Sequence, residues 1–347
     1  MGIMLRECDH LPEGFLETPA RRIHRIVPEP TLFHLPGRRE PPLFVCVLLH
    51  GNEPVGLEAV QALLREMPTP LPRALSLFVG NVQAAAQGVR VLEGQPDFNR
   101  IWPGGEHTDG PEARRMQAVV DRMAERGVFA SVDLHNNTGL NPHYGCVNRL
   151  DPPYLHLAAL FARTVVHFTS PRGVQSLAMA PLCPAVTLEC GRPGDPHGVA
   201  HARDYLQACM HLCTLPDTPV PQHDLDLFHT AARVQVPPEV GIAFAPGEAD
   251  LVFDTDLDHM NFRELPAGTA LARVRPGSGA RVTARDETGR EVTGRYFAVD
   301  GDRLVLTRPA MPSMLTLDAS IVRQDCLCYL MERMAPPGAP PAIMDAG

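Results

Sequence analysis

Apolar and polar positions fall into alternating blocks along the first two thirds of the chain. LFVCVLL (43–49) is an unbroken apolar run, the pattern of a strand covered on both faces. VGLEAVQALLREM (55–67) spaces its apolar residues for a helix, and ALSLFVGN (74–81) reads as a strand ended by Gly80-Asn81. GPEARRMQAVVDRMAERG (110–127) opens with a proline and stops at Gly127, which predicts a well-bounded helix. FASVDLH (129–135) and PAVTLECG (184–191) read as strands, and YLHLAALFARTVVHF (154–168) as a helix. DPHGVAHARDYLQACMHLC (195–213) predicts a helix with Asp195 as cap and Pro196 in the first turn. Such alternation predicts an α/β fold with a mostly parallel mixed sheet flanked by helices.

Residues 1–40 read as a leader of mixed short elements. At TLPDTPVPQHD (214–224) the texture changes. Beyond it lie short runs with hairpin turns, such as DETG and VDGD. The expected organisation is an α/β catalytic domain over 1–215, a Pro-rich linker over 216–224 and a smaller β-rich domain over 225–330. The tail, 331–347, ends in APPGAPPAIMDAG and is expected to be disordered.

Composition mainly excludes. The 347 residues are 44% hydrophobic and 20% charged, an ordinary globular balance. A formal net charge of -9 argues against a nucleic-acid partner. All 31 basic residues are arginine. The lack of lysine removes Schiff-base catalysis, Ser–Lys dyads and Walker-type phosphate loops. The nine cysteines form no C-x-x-C pair and fit a reducing compartment. The charged N-terminus does not suit a signal peptide, and no run approaches the ~20 apolar residues of a membrane span. The expectation is a soluble, cytoplasmic protein with no membrane partner.

Three of the expected strands carry chemistry at their ends. The first runs into His50, with Glu53 just across a Gly-Asn turn; the second ends in His135 and the third in Glu189. Ligands of open parallel sheets bind at the carboxyl ends of strands. A lone histidine there is more often a core residue. Two histidines and two glutamates brought to one rim make a metal site the stronger reading. His, Glu and His with one open position is a carboxypeptidase-type zinc set, and the remaining glutamate would act as base toward water. Gly51 is expected to free the turn between His50 and Glu53.

With HGNE (50–53), DFNR (97–100), DLHN (133–136) and LECG (188–191) in this order, the sequence resembles the succinylglutamate desuccinylase/aspartoacylase family of the zinc carboxypeptidase superfamily. The resemblance covers roughly 43–200, and DTDLDHMNFRELPAGTAL (254–271) is similar to the family's second domain. It implies one zinc per chain at His50, Glu53 and His135, and a general acid/base at Glu189. It further implies that Asn99 and Arg100 bind a substrate carboxylate and that Arg90 polarises the scissile carbonyl. The family pattern has another arginine shortly before the catalytic glutamate. Here Met179 stands at about that place, which counts against an aspartate-type leaving group; Arg172, further upstream, is a possible substitute.

Among the remaining candidates, Asn136 is assigned to the rim as a substrate contact and Asp133 as a partner of a zinc histidine. His197 and His201 are spaced i, i+4 but lack a zincin glutamate. Cys146 and Cys190 read as small core residues. Arg263, Arg273, Arg275 and Tyr296 are candidate substrate contacts from the β-rich part. The expected function is a zinc-dependent amidohydrolase acting on a small N-acyl amino acid or a similar carboxylate-bearing amide. The alternatives are a zinc carboxypeptidase acting on small peptides and a non-catalytic zinc-binding protein. The latter is disfavoured because a structural site would be closed by four ligands.

Overall fold

The computed structural model describes residues 5–106, 109–245 and 247–335, so His107 and the tail from 336 onward lie outside the described residues. In the first part, eight strands are Arg6–Cys8 (β1), Thr31–Leu35 (β2), Leu43–Val47 (β3), Leu75–Val79 (β4), Ala130–His135 (β5), Tyr144–Val147 (β6), Thr164–His167 (β7) and Ala185–Glu189 (β8). Helices Val55–Glu66 (α1), Val82–Gln87 (α2), Pro111–Arg126 (α3), Pro152–Ala159 (α4), Gln175–Met179 (α5) and Pro196–His211 (α6) flank them. Strands β4, β3, β5 and β8 are parallel neighbours, buried from end to end because helices cover both faces. Gly56 lets α1 approach the sheet closely. A Cβ there would lie 2.8 Å from Leu134 Cβ and 2.9 Å from Val47 Cγ1.

The chain then forms Asp226–Gln235 (β9), Ile242–Ala243 (β10), Leu251–Phe253 (β11), Ala270–Val274 (β12), Thr283–Arg285 (β13), Phe297–Asp300 (β14), Arg303–Leu306 (β15), Met311–Ser313 (β16) and Cys328–Arg333 (β17). Two short helices, Thr293–Tyr296 (α7) and Ala319–Gln324 (α8), lie among them. The main sheet runs β1-β2-β4-β3-β5-β8-β6-β7-β9-β17-β16, with β13 also on β9. A second sheet runs β10-β11-β12-β15-β14. One large apolar cluster gathers residues between Phe15 and Leu227, and a second gathers residues between Ala232 and Leu330. The Pro-rich segment does not interrupt the main sheet, since β7 pairs in parallel with β9 across it. No described helix is long and apolar enough to cross a membrane.

Three expectations are corrected. The helix expected over 154–168 ends at Ala159, and Thr164–His167 is strand β7. The β-branched Thr164, Val165 and Val166 suit a pleated, half-buried strand, and pairing with β6 and β9 settles it. Met331–Arg333, expected in the tail, close strand β17. Strand β3 stops at Val47, earlier than the apolar run. Leu48 takes a left-handed φ of 56°, which turns the chain before His50.

Candidate metal centre and active site

The site is built at the carboxyl ends of β3, β5 and β8. His135 and Glu189 are register partners on adjacent parallel strands, which fixes them side by side. His50 follows β3 by one turn. Gly51 serves that turn in a way that differs from the expectation: it needs space. A Cβ at Gly51 would lie 2.2 Å from backbone atoms of Ala84 and Ala85, so only glycine lets the turn rest against α2. Glu53, just before α1, lies between the imidazoles: His50 Nδ1 is 2.9 Å from Oε1, and His135 Nδ1 is 2.7 Å from Oε2. One ligand atom from each of His50, Glu53 and His135 falls within 4.8 Å of the others, and all three residues are buried.

Both histidines are held from behind by carboxylates. Asp133 Oδ2 lies 2.8 Å from His135 Nε2, and Asp97 Oδ1 lies 3.0 Å from His50 Nε2. With Nε2–H donated to those carboxylates, each Nδ1 is left as a lone pair aimed at Glu53. Lone pairs and a carboxylate converging in a buried space repel one another unless positive charge lies among them. The donor set therefore fits a divalent cation of the zinc type. Without a metal, protons take that role. Burial would lower the His135 pKa, but Asp133 and Glu53 overcome it and raise it well above the usual value. Burial likewise works against Glu53 ionisation, yet His50 and His135 hold its carboxyl well below the usual range.

Glu189 has the opposite environment. Burial pushes its carboxyl up to about 7; the negative charge of Glu53 adds to the rise, while His135 and the Asn137 amide moderate it. A buried carboxyl near neutrality suits general acid–base work.

Asp97 organises the rest. It accepts from His50 Nε2, from the Asn99 backbone N–H at 2.8 Å, and from Arg90 Nε and Nη2 at 3.1 and 3.0 Å. Arg90 also comes within 3.7 Å of Glu53 through Nη1. Asn99 accepts from the Gln175 N–H through Oδ1 at 2.9 Å and keeps its Nδ2 beside His135. Arg100 donates to Asn99 O at 2.8 Å and through Nη2 to Asp325 at 3.2 Å. Asn136 lines the pocket, but its amide is engaged by the fold: Oδ1 accepts from Val55 N at 3.1 Å and Nδ2 donates to Gly191 O at 2.8 Å. The next residue, Asn137, donates to Glu189 Oε2 at 3.4 Å.

All eight assigned residues (His50, Glu53, Arg90, Asn99, Arg100, His135, Asn136 and Glu189) line one pocket. Arg172 is exposed and lies off that lining, and Met179 is fully buried in the core. The β-rich part reaches the pocket through Thr230, Ser313, Met314, Ile321, Asp325, Cys326 and Tyr329. The candidates Arg263, Arg273, Arg275 and Tyr296 do not line it; Tyr296 donates to Glu332 at 2.9 Å and Arg275 pairs with Asp250. Asp97, Asn137 and Asp325 escape the sequence reading. Only Asp97 left a signal, as the acidic first residue of DFNR.

No curated protein matches this chain in sequence. Among solved structures, it is similar to the succinylglutamate desuccinylase/aspartoacylase from Rhodobacter sphaeroides, with 16% identity, 87% of this chain and 88% of the other covered, and a TM-score of 0.59. The succinylglutamate desuccinylase from Chromobacterium violaceum aligns with 20% identity over 86% and 87% of the chains at a TM-score of 0.52. The Vibrio parahaemolyticus enzyme of the same name aligns with 12% identity over 81% and 86% at 0.51. At these identities the likeness establishes the fold. The sequence pattern of the succinylglutamate desuccinylase/aspartoacylase catalytic domain matches residues 40–207, a span that holds all eight assigned residues. Residues 40–207 of this chain thus carry the catalytic-domain pattern of the succinylglutamate desuccinylase/aspartoacylase family.

Proposed function

We propose that this chain is a zinc-dependent deacylase that hydrolyses the amide of a small, carboxylate-bearing substrate. The observation that carries the reading is the position of Glu53 between two carboxylate-backed imidazoles, with Glu189 in register beside one of them. His50, Glu53 and His135 would hold one zinc, which supplies Lewis acidity to the amide carbonyl and to water.

Glu189 takes the proton of the attacking water and delivers it to the leaving nitrogen. Asn137 holds the Glu189 carboxylate in place. Arg90, oriented by Asp97, donates to the carbonyl oxygen as negative charge develops there. Arg100 and the Asn99 amide meet the substrate carboxylate. Asn136 ties the start of α1 to the loop after β8 and so keeps Glu53 and Glu189 in relative position. The side chains that the β-rich part sets on the pocket favour small amides over longer peptides.

The test is metal analysis with a substrate screen. Purified protein should carry about one zinc per chain and release free amine from N-acyl amino acids. Glu189→Gln should abolish most turnover while zinc stays bound. Full zinc occupancy in a His50→Ala, His135→Ala double variant, or undiminished turnover in Glu189→Gln, would refute the assignment.

A further inference from the structure

We infer that the substrate carries a single carboxylate and is apolar over its remainder; this rests on the deacylase reading and specifies its substrate class. The argument begins at Asp325, which follows α8. Its carboxylate accepts from Arg100 Nη2 at 3.2 Å and from Arg233 Nη2 at 2.9 Å, and it lies 4.0 Å from Arg90 Nη2. An internal carboxylate thus sits against the arginines that a dicarboxylate would use. Arg90, Arg100 and Arg233 face Asp97, Asp325 and, through Arg90, Glu53, so their charges balance, and only Arg90 and Arg100 reach the pocket, with room for one substrate carboxylate between them.

Among the described residues, no further arginine lines the pocket. The opposite wall is apolar: Tyr144, Cys146, Val166 and Met314 line it and belong to one apolar cluster with Phe228 and Met331. Tyr144 and Cys146 stand on β6, paired with Glu189 and Thr187, so this wall flanks the proposed base. A carboxylate pressed against it would lose its hydration and find no partner. An aliphatic or aromatic group would displace water there, and the unbranched Met314 can adapt to its shape.

The experiment compares matched amides with the zinc-loaded full chain: N-acetyl-leucine and N-acetyl-phenylalanine against N-acetyl-aspartate and N-acetyl-glutamate. The apolar monocarboxylates should lead in kcat/KM by a factor on the order of 10². Calorimetry of 3-phenylpropanoate and succinate, with and without zinc, gives a second readout independent of turnover; phenylpropanoate should bind more tightly. Asp325→Asn should move the preference toward dicarboxylates by about tenfold, the loss of one opposing charge. If that variant does not fold, the wild-type comparison decides alone. Dicarboxylates cleaved as well as or better than the apolar amides would overturn this inference and leave the deacylase reading intact. Cleavage of none of the amides, with phenylpropanoate still favoured over succinate, would overturn the deacylase reading and support the pocket preference. Succinate bound as tightly as phenylpropanoate would overturn the preference.

Discussion

Asp97 Oδ1 lies 3.0 Å from His50 Nε2, while Oδ2 of the same carboxylate takes Arg90 Nη2 at 3.0 Å. One side chain thereby sets the tautomer of a candidate metal ligand and the orientation of a guanidinium beside it. Burial works against its ionisation, but His50 and Arg90 hold it well below the usual carboxylate range. Asp97→Asn should weaken zinc binding by roughly 10–100-fold, the usual effect of removing a carboxylate behind a ligating histidine. Competition with a fluorescent zinc chelator measures it. Unchanged affinity would show that Asp97 does not support the site.

The two pocket arginines should separate kinetically. Arg90→Ala removes a donor to developing charge and should mainly lower kcat, by a factor on the order of 10²–10³. Arg100→Ala removes a contact made equally in ground and transition states and should mainly raise KM. Steady-state kinetics on one N-acyl amino acid decides this; the reverse pattern would exchange their roles.

Zinc-free protein should reveal Glu189 in its pH-dependent stability. Burial raises the folded-state pKa from 4.5 to about 7. Below 4.5 the group is neutral in both states and contributes nothing. As pH rises from 4.5 to 7 the unfolded chain loses its proton first, so the native state loses ground. Above 7 the full cost remains, on the order of 3 kcal/mol. Glu189→Gln removes it. Zinc-free Glu189→Gln should therefore gain stability over wild type at pH 8 and much less at pH 5, measured by urea unfolding. An equal difference at both pH values would contradict the buried, neutral carboxyl.

Gly51→Ala tests the close approach of the turn to α2. A methyl group 2.2 Å from backbone atoms cannot be accommodated by a side-chain shift, so the turn must move. The expected cost is about 1–3 kcal/mol, together with loss of zinc as His50 and Glu53 separate. Denaturant midpoints and metal content read both effects. Wild-type stability would mean that the turn has slack.

Asp325→Ala should weaken the fold toward acid less than wild type. Burial opposes Asp325 ionisation, yet Arg100, Arg90 and Arg233 keep its pKa below the usual value. Its contribution is present above the unfolded-state pKa and is lost as pH falls through the folded-state one. Wild type should therefore lose more stability than the variant in that window, followed by circular dichroism during acid titration.

By itself, the sequence determined the strand–helix alternation and the three segments that carry His50, Glu53, His135 and Glu189, because a strand buried on both faces must be apolar and a polar residue at its end stands out. The motif order also located Asn99, Arg100 and Arg90. Local pattern failed where the decision was not local. Thr164–His167 became a strand because β6 and β9 lie beside it. At Asn136 and Asn137, two like residues in succession, the backbone after β5 turned one amide into the fold and the other toward Glu189. Asp325 stands 225 residues from Arg100 in sequence, and only the β9–β17 pairing, which carries the end of α8 to the rim, brings its carboxylate to the arginines. Period and composition report what each segment buries; which charges meet across the pocket depends on long-range packing, and tertiary structure alone decided it.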